Sequence, residues 1–313
     1  MIRFEGVSKR FPGAERAAVE SLDLEVPEGS VCALIGPSGC GKSTTLRMVN
    51  RLVEPDTGRV LVAGADVARG DPIQLRRGIG YVLQGVGLFP HRDVAENIAT
   101  VPGLLGWPRS RIAERVDAML DLVGLEPADY RHRRPHELSG GQRQRVGVAR
   151  ALAADPPILL MDEPFGAVDP VARDRLQAEI GAILRRLGKT VLIVTHDIDE
   201  AMRMGTRVVL MRAGRIVQAD TPERLLAHPA DAEVAGFVGQ DRALRRLALI
   251  PAGTLAVPGP APGAPAISPE ASLRDALALL LANGGDRLAL TGAGPPAHLT
   301  LAAIRVAAAQ APD

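Results

Sequence analysis

Aromatic residues make up only 3% of this 313-residue chain, and lysine is scarcer still: of 37 basic residues three are lysines, Lys9, Lys42 and Lys189. With so few aromatics and a net charge of +1, the chain lacks a basic face interleaved with stacking rings, so nucleic acid is not an expected partner. No apolar run approaches the ~18 residues of a membrane span, and Met1-Ile2-Arg3 opens no signal-peptide pattern. We therefore expect a cytosolic chain whose membrane association comes through a partner protein. Two cysteines, Cys32 and Cys40, cannot form a disulfide framework. What is plentiful is aliphatic: 46% hydrophobic residues supply a core of Ala, Val, Leu and Ile, and the length suggests two domains, or one large domain with an appendage.

The scarcity of lysine gives weight to Lys42. It stands in Gly36-Pro37-Ser38-Gly39-Cys40-Gly41-Lys42-Ser43-Thr44, directly after the apolar run Val31 to Ile35. A strand feeding a Gly-rich turn that opens a helix aims backbone N–H groups and the positive helix end at one point, an anion cradle. The glycines allow left-handed backbone and close approach. Lys42 is placed for the β- and γ-phosphates and the Ser43 hydroxyl for Mg²⁺. Where basic residues are nearly all arginine, a lysine kept here reflects a site that a planar guanidinium does not suit. The chain is expected to bind a nucleoside triphosphate. Cys32 is expected in the core, and Cys40 as a thiol that a maleimide reaches beside the phosphates.

The remaining pattern is α/β. Strands are expected at Ile2 to Val7, Leu22 to Val26, Arg59 to Ala63 and Ile79 to Leu83, with a helix from Ser43 to about Val53. From Val94 to Ala154 the period turns helical, with Gly124 stopping one helix. Ile158 to Met161 and Val191 to Val194 read as strands buried on both faces, flanking a helix from Pro170 to Leu187. Together these describe an α/β nucleotide-binding core with a helical subdomain. Pro251 to Pro269 is dense in Pro, Ala and Gly and reads as a linker. Beyond it Ser272-Leu273-Arg274-Asp275 is a capping box before an apolar helix, followed by a strand over 286–290 and an Ala-rich helix.

Two further clusters carry chemistry. Leu138-Ser139-Gly140-Gly141-Gln142 opens a helix 97 residues after Lys42; it offers a hydroxyl and N–H groups to an anion, or else simply caps its helix. Ile158-Leu159-Leu160-Met161-Asp162-Glu163 is an apolar strand ending in two carboxylates, Asp162 suited to Mg²⁺ and Glu163 to activating water. Of six histidines, only His196 ends a buried strand in acidic company.

The P-loop, LSGGQ, ILLMDEP and Thr195-His196-Asp197 together resemble the ATP-binding-cassette (ABC) ATPases over residues 1 to about 240. The resemblance implies a P-loop core with a mixed sheet and flanking helices, ATP and Mg²⁺ as cofactors, and hydrolysis to ADP and phosphate. It implies roles residue by residue: Phe11 stacks on adenine; Gln84 touches Mg²⁺ and the attacking water; Asp169 lies in the D-loop; His196 contacts the γ-phosphate. Ser139, Gly140, Gly141 and Gln142 close on the ATP held by the P-loop of another chain, so two ATPs lie in a head-to-tail dimer. The helical subdomain, about 88–150, would meet a membrane permease. One P-loop and a compact insert set the chain apart from relatives in DNA repair and translation.

Finer likeness points to the quaternary-amine uptake class (glycine betaine, choline, carnitine, proline), carried by Gly87-Leu88-Phe89-Pro90-His91, the stretch from Val94 to Trp107, Pro135-His136-Glu137 and Phe237 to Leu247. Uptake of another small solute, such as an amino acid, is the alternative. The class implies permease subunits, an extracytoplasmic solute-binding protein and a place on the cytoplasmic face of the inner membrane. The expected layout is a cassette at 1–240, a connecting helix and linker at 241–266, and at 267–313 a small α+β module resembling one cystathionine-β-synthase-type (CBS) motif. Such a tail either senses ionic strength or adenylate, or packs the dimer.

Overall fold

The computed structural model describes residues 1–166, 168–292 and 295–309. It comprises two compact units, Met1–Ala219 and a second beginning at Asp220. The division falls some twenty residues ahead of the 240/241 boundary expected from the extent of the family resemblance.

In the first unit β1 (Ile2–Lys9) pairs antiparallel with β2 (Val19–Val26). On its other side lies β4 (Thr57–Val62), followed by β5 (Ala65–Asp66), so the order is β2-β1-β4-β5. A second sheet uses β3 (Val31–Ile35), β6 (Ile79–Val82), β7 (Ile158–Asp162), β8 (Thr190–Val194), β9 (Arg207–Arg212) and β10 (Arg215–Asp220), in the order β10-β9-β3-β8-β7-β6. Every residue of β3, β7 and β8 is buried, which the unbroken apolar runs require: a strand covered on both faces cannot alternate.

Five of these strands, β9-β3-β8-β7-β6, run parallel, and their register fixes where chemistry can occur. Leu34 lies opposite Val194, Asp162 opposite Val194 and Val82 opposite Met161. The loops leaving β3, β8, β7 and β6 therefore emerge side by side at one edge. Those loops carry the P-loop, Thr195-His196, Glu163 and Gln84.

Helix α1 (Lys42–Val49) leaves the P-loop and ends at Asn50, shorter than the expected run to Val53 because the chain turns at Arg51, whose φ is 54°. After α2 (Pro72–Arg77) come the helices between β6 and β7: α3 (Val94–Ile98), α4 (Thr100–Leu104), α5 (Arg109–Leu122), α6 (Pro127–Tyr130) and α7 (Gly140–Leu152). Helix α5 buries Val116, Met119 and Leu120 and stops before Gly124, as the period predicts. Helix α8 (Pro170–Leu187) spans the expected range, and α9 (Ile198–Met204) follows His196.

The second unit contains α10 (Pro222–Ala227), α11 (Ala232–Val238), α12 (Arg242–Leu249), α13 (Leu273–Asn283) and α14 (Leu301–Ala309). Its sheet orders β11 (Val257–Pro258), β12 (Ala266–Ile267), β13 (Arg287–Leu290) and β14 (Ala297–Thr300) as β11-β14-β13-β12. The Pro/Ala/Gly stretch is thus built into this unit and is no free linker. Gly259 N–H donates to the Pro296 carbonyl and Ala252 is fully buried, because proline and glycine suit edge strands and tight corners. The core joins Leu247 and Ala252 to Leu273, Leu280, Leu288, Leu299 and Ile304, so the stretch expected as connecting helix and linker packs with the tail.

With so small a core, Leu288→Ala in the isolated 220–313 segment is expected to cost about 2–5 kcal/mol, most of what a unit of this size has. Urea unfolding of the two segments measures it; equal midpoints would show that Leu288 does not anchor the core.

Candidate active site

A cleft of about 620 Å³ opens at the edge where the parallel strands end, lined by Ala18, Ser38 to Thr44, Glu163 and His196. The P-loop's shape is enforced by its surroundings. Gly36 has φ 143°, and a Cβ there would sit 2.1 Å from the Met211 carbonyl oxygen; at Gly41, φ 103°, it would meet the Ala18 carbonyl oxygen at 2.2 Å. Both positions need glycine because neighbouring backbone crowds them, in addition to the phosphate approach read from the motif. Lys42 is buried and donates to the carbonyls of Gly36 (2.7 Å) and Pro37 (3.0 Å), so its ammonium is held within the loop.

Cys40 also points inward: it is 3% exposed, packs in the hydrophobic core and lies 3.7 Å from Lys42 Nζ. At that exposure the thiol is not the reagent-accessible one expected from the motif. Cys32 is fully buried as expected, and burial pushes its thiol up to about 12.

Asp162 ends β7 at 2% exposure. One oxygen accepts from the Ser43 hydroxyl at 3.0 Å and the other from Arg47 Nη2 at 3.2 Å. Ser43 and Arg47 are four residues apart on α1, so one helix face grips both oxygens. Sequence reading missed Arg47; its (i, i+4) spacing from Ser43 was the available signal. Tyr81 is a second omission: burial, then the Asp162 charge, raise its phenol above the ordinary value.

Glu163 turns out of β7 with φ 46°, a left-handed conformation that costs a non-glycine residue roughly 1–2 kcal/mol. Its N–H donates to the Val194 carbonyl across the sheet (2.9 Å), which holds the turn. Gln84 Nε2 donates to Glu163 Oε2 at 3.1 Å, and His196 Nδ1 lies 3.3 Å from the same oxygen. Gln84, Asp162, Glu163 and His196, with the P-loop, thus converge from four strands.

The other expected residues lie elsewhere. Ser139 Oγ accepts from Gln142 N–H (3.2 Å) while Gln142 Oε1 accepts from Ser139 N–H (2.9 Å), a capping box on α7, and Gln142 Nε2 reaches the Tyr130 hydroxyl (3.0 Å). Gly140 and Gly141 form the first turn of that helix. Asp169 caps α8 by accepting from Ala172 N–H at 2.9 Å. Phe11 is 40% exposed, with Lys9 Nζ 5.7 Å from its ring, and does not line the cleft.

The donor set fits Mg²⁺. A hard ion that keeps waters and uses substrate phosphates needs only one or two protein oxygens, and Asp162, Ser43 and the Gln84 amide offer them.

Behind the site Glu200, on α9, is 3% exposed; Gln177 Nε2 donates to its Oε2 at 3.4 Å, while Oε1 has no hydrogen-bond partner. Burial, and the charge of Asp197, push its carboxyl up from 4.5 to about 8. Between those values the unfolded chain releases a proton that the folded chain keeps, so stability falls as pH rises through that window. Glu200→Gln, which cannot ionise, is expected to lose less stability than wild type between about pH 5 and 9. Denaturant midpoints across that range decide it, and parallel curves would mean that Glu200 ionises normally.

The ABC transporter family pattern matches residues 19–166. The osmoprotectant import ATP-binding protein OsmV of Salmonella typhimurium is 52% identical over 256 residues, 81% of this chain and 67% of that protein. The glycine betaine uptake system ATP-binding protein YehX of Escherichia coli is 51% identical over 289 residues, covering 92% of this chain and 93% of that protein. Among solved structures, a dimeric post-hydrolysis state of the ATP-binding cassette MJ0796 bound to ADP and phosphate has a TM-score of 0.63 at 32% identity, over 71% of this chain and 99% of that one. No helix among the described residues is long and apolar enough to cross a membrane. With the P-loop, Glu163 and His196 lining one cleft, this chain belongs to the ATP-binding, ATP-hydrolysing subunits of ABC transporters.

Proposed function

We propose that the chain powers uptake of quaternary-amine osmoprotectants such as glycine betaine, working as a head-to-tail pair on the inner face of the membrane beneath a permease. The observation carrying the catalytic part is the convergence of Gln84 and His196 on one oxygen of Glu163 beside the P-loop. The solute class rests on similarity to the OsmV and YehX proteins at about half identity, since no ATPase residue touches the transported solute.

In this reading the P-loop amides and Lys42 hold the β- and γ-phosphates. Ser43, Asp162 and Gln84 would hold Mg²⁺, which would supply positive charge against that building on the transferring phosphoryl group. Glu163 uses Oε1, the oxygen that Gln84 and His196 leave free, to take a proton from the attacking water. Gln84 and His196 orient that carboxylate, and His196 faces the γ-phosphate. Phe11 stacks on adenine. Ser139, Gly140, Gly141 and Gln142 serve the partner's nucleotide, with Asp169 at the junction, so hydrolysis waits for closure.

An apolar groove of about 450 Å³, lined among others by Leu52, Tyr81, Leu83, Phe89 and Val101, suits a permease helix. Leu52, Leu83 and Phe89 are each more than a third exposed, and Leu83 directly precedes Gln84, so an occupant would bear on the catalytic loop. The full transporter would add an extracytoplasmic solute-binding protein. The tail, with one CBS-like motif, would act only with its copy on the other subunit.

Glu163→Gln is expected to bind ATP, lose turnover by at least about a hundredfold, and accumulate as a dimer on size-exclusion chromatography with Mg²⁺. Wild-type hydrolysis by this variant would remove Glu163 from the chemistry.

Ser139→Arg is expected to abolish hydrolysis while its own P-loop still binds ATP. Ser139 also caps α7, so a stability loss of ~1 kcal/mol accompanies the change and melting is followed in parallel. Mixed with Lys42→Ala chains, one composite site carries both lesions and the other neither, so activity is expected to return. Loss of ATP binding by the Ser139→Arg chain alone would falsify the trans arrangement.

A further inference from the structure

The loop that carries Gln84 is held in a conformation its own sequence resists. Gly85, Val86 and Gly87 have φ of 73°, 70° and 55°, three left-handed residues in succession. Glycine accepts this without strain, but a β-branched valine does not. Val86 is nevertheless buried at 4% exposure.

Two features of α7 hold it there. Arg150 donates from Nη2 to the Val86 carbonyl at 2.8 Å and from Nη1 to the Gly87 carbonyl at 2.7 Å. Gly147, one turn earlier, gives the valine room: a Cβ at that position would stand 2.8 Å from Val86 Cγ1. Arg150 is itself unusual. It is 8% exposed, burial lowers its pKa, and it has no ion-pair partner among the described residues. The Phe89 ring lies 5.9 Å from its guanidinium, and its stem lines the apolar groove with Leu83 and Phe89. A buried cation satisfied by two carbonyls in place of a carboxylate is an expensive way to fill space. It is an effective way to fix a turn that would otherwise relax.

We propose that Arg150 is a positioning residue for hydrolysis: by clamping the Val86–Gly87 turn to the helix that begins with Ser139, it sets Gln84 against Glu163. The same side chain forms part of the groove wall, so an occupant of the groove and any movement of α7 act on Gln84 through one latch. The proposal rests on the reading of Gln84 as a ligand of Mg²⁺ and the attacking water.

The test compares full-length Gln84→Ala, Arg150→Met and Gly147→Ala, the last two alone and combined with Val86→Gly. Turnover at saturating Mg-ATP, affinity for a fluorescent ATP analogue without Mg²⁺, and melting temperature are measured for each. Arg150→Met and Gly147→Ala are expected to lower kcat about tenfold, the order set by one strained residue, with Mg²⁺-free affinity unchanged. Val86→Gly makes the left-handed turn free of strain and removes the methyl that a residue-147 Cβ would strike, so it is expected to restore most of the loss in both. A purely structural role for Arg150 would instead lower affinity and melting temperature together and show no rescue. Wild-type kcat in Arg150→Met, or a loss that Val86→Gly leaves in place, overturns the latch. Should Arg150→Met not fold, Gly147→Ala and its rescue decide the matter alone. Wild-type kcat in Gln84→Ala overturns the reading of Gln84, whereas an impaired Gln84→Ala beside unimpaired Arg150→Met and Gly147→Ala overturns only the latch.

Discussion

A carboxylate buried at the end of an apolar strand is costly unless both oxygens are matched, and Asp162 sets this demand on everything near it. The Ser43 hydroxyl and the Arg47 guanidinium meet it, and both come from one face of α1. That fixes the rotation of α1 on the sheet, and so the direction in which the P-loop ahead of it presents its amides. The next residue, Glu163, must then leave the strand through a left-handed turn, which places its carboxylate where Gln84 and His196 reach the same oxygen. Bringing these groups together takes strands from four distant parts of the chain. Only parallel packing with matched register places their C-terminal ends together.

The site also stores strain on both sides of that oxygen. Glu163 and Val86 each occupy left-handed backbone without being glycine, one carrying the carboxylate that Gln84 and His196 reach and the other two residues beyond Gln84. Such conformations persist only where the surroundings over-determine them. For Glu163 the surroundings are a cross-strand hydrogen bond to Val194, and for Val86 the Arg150 clamp and the space above Gly147. Both loops are therefore held by contacts that neighbouring elements can loosen.

Much of this was legible in the linear chain. The P-loop announced itself through glycine spacing and a rare lysine, and unbroken apolar runs identified the buried strands β3, β7 and β8. Helix α8 matched its expected ends because Asp169-Pro170 starts it and Gly188, with φ 59°, stops it. Local signals sufficed wherever the cause was local. They misled where composition stood in for structure. The stretch 251–269, rich in Pro, Ala and Gly, contributes two edge strands and a buried alanine, and Cys40 faces the core although its neighbours in sequence face the cleft. A side chain's direction out of a tight turn depends on what crowds it, and those contacts come from residues such as Met211, far along the chain.

The sequence by itself determined which residues form the glycine-rich P-loop turn, which carboxylates are available, and which segments must be strands or helices. Those properties reside in residue type and short-range spacing. Only the tertiary structure decided that Arg47 grips Asp162, that Glu200 is buried with one oxygen unpartnered, and that Arg150 ends on the backbone of the Gln84 loop. Each depends on a contact between segments tens of residues apart, and the energy of such a contact is fixed by burial and geometry, which no local pattern encodes.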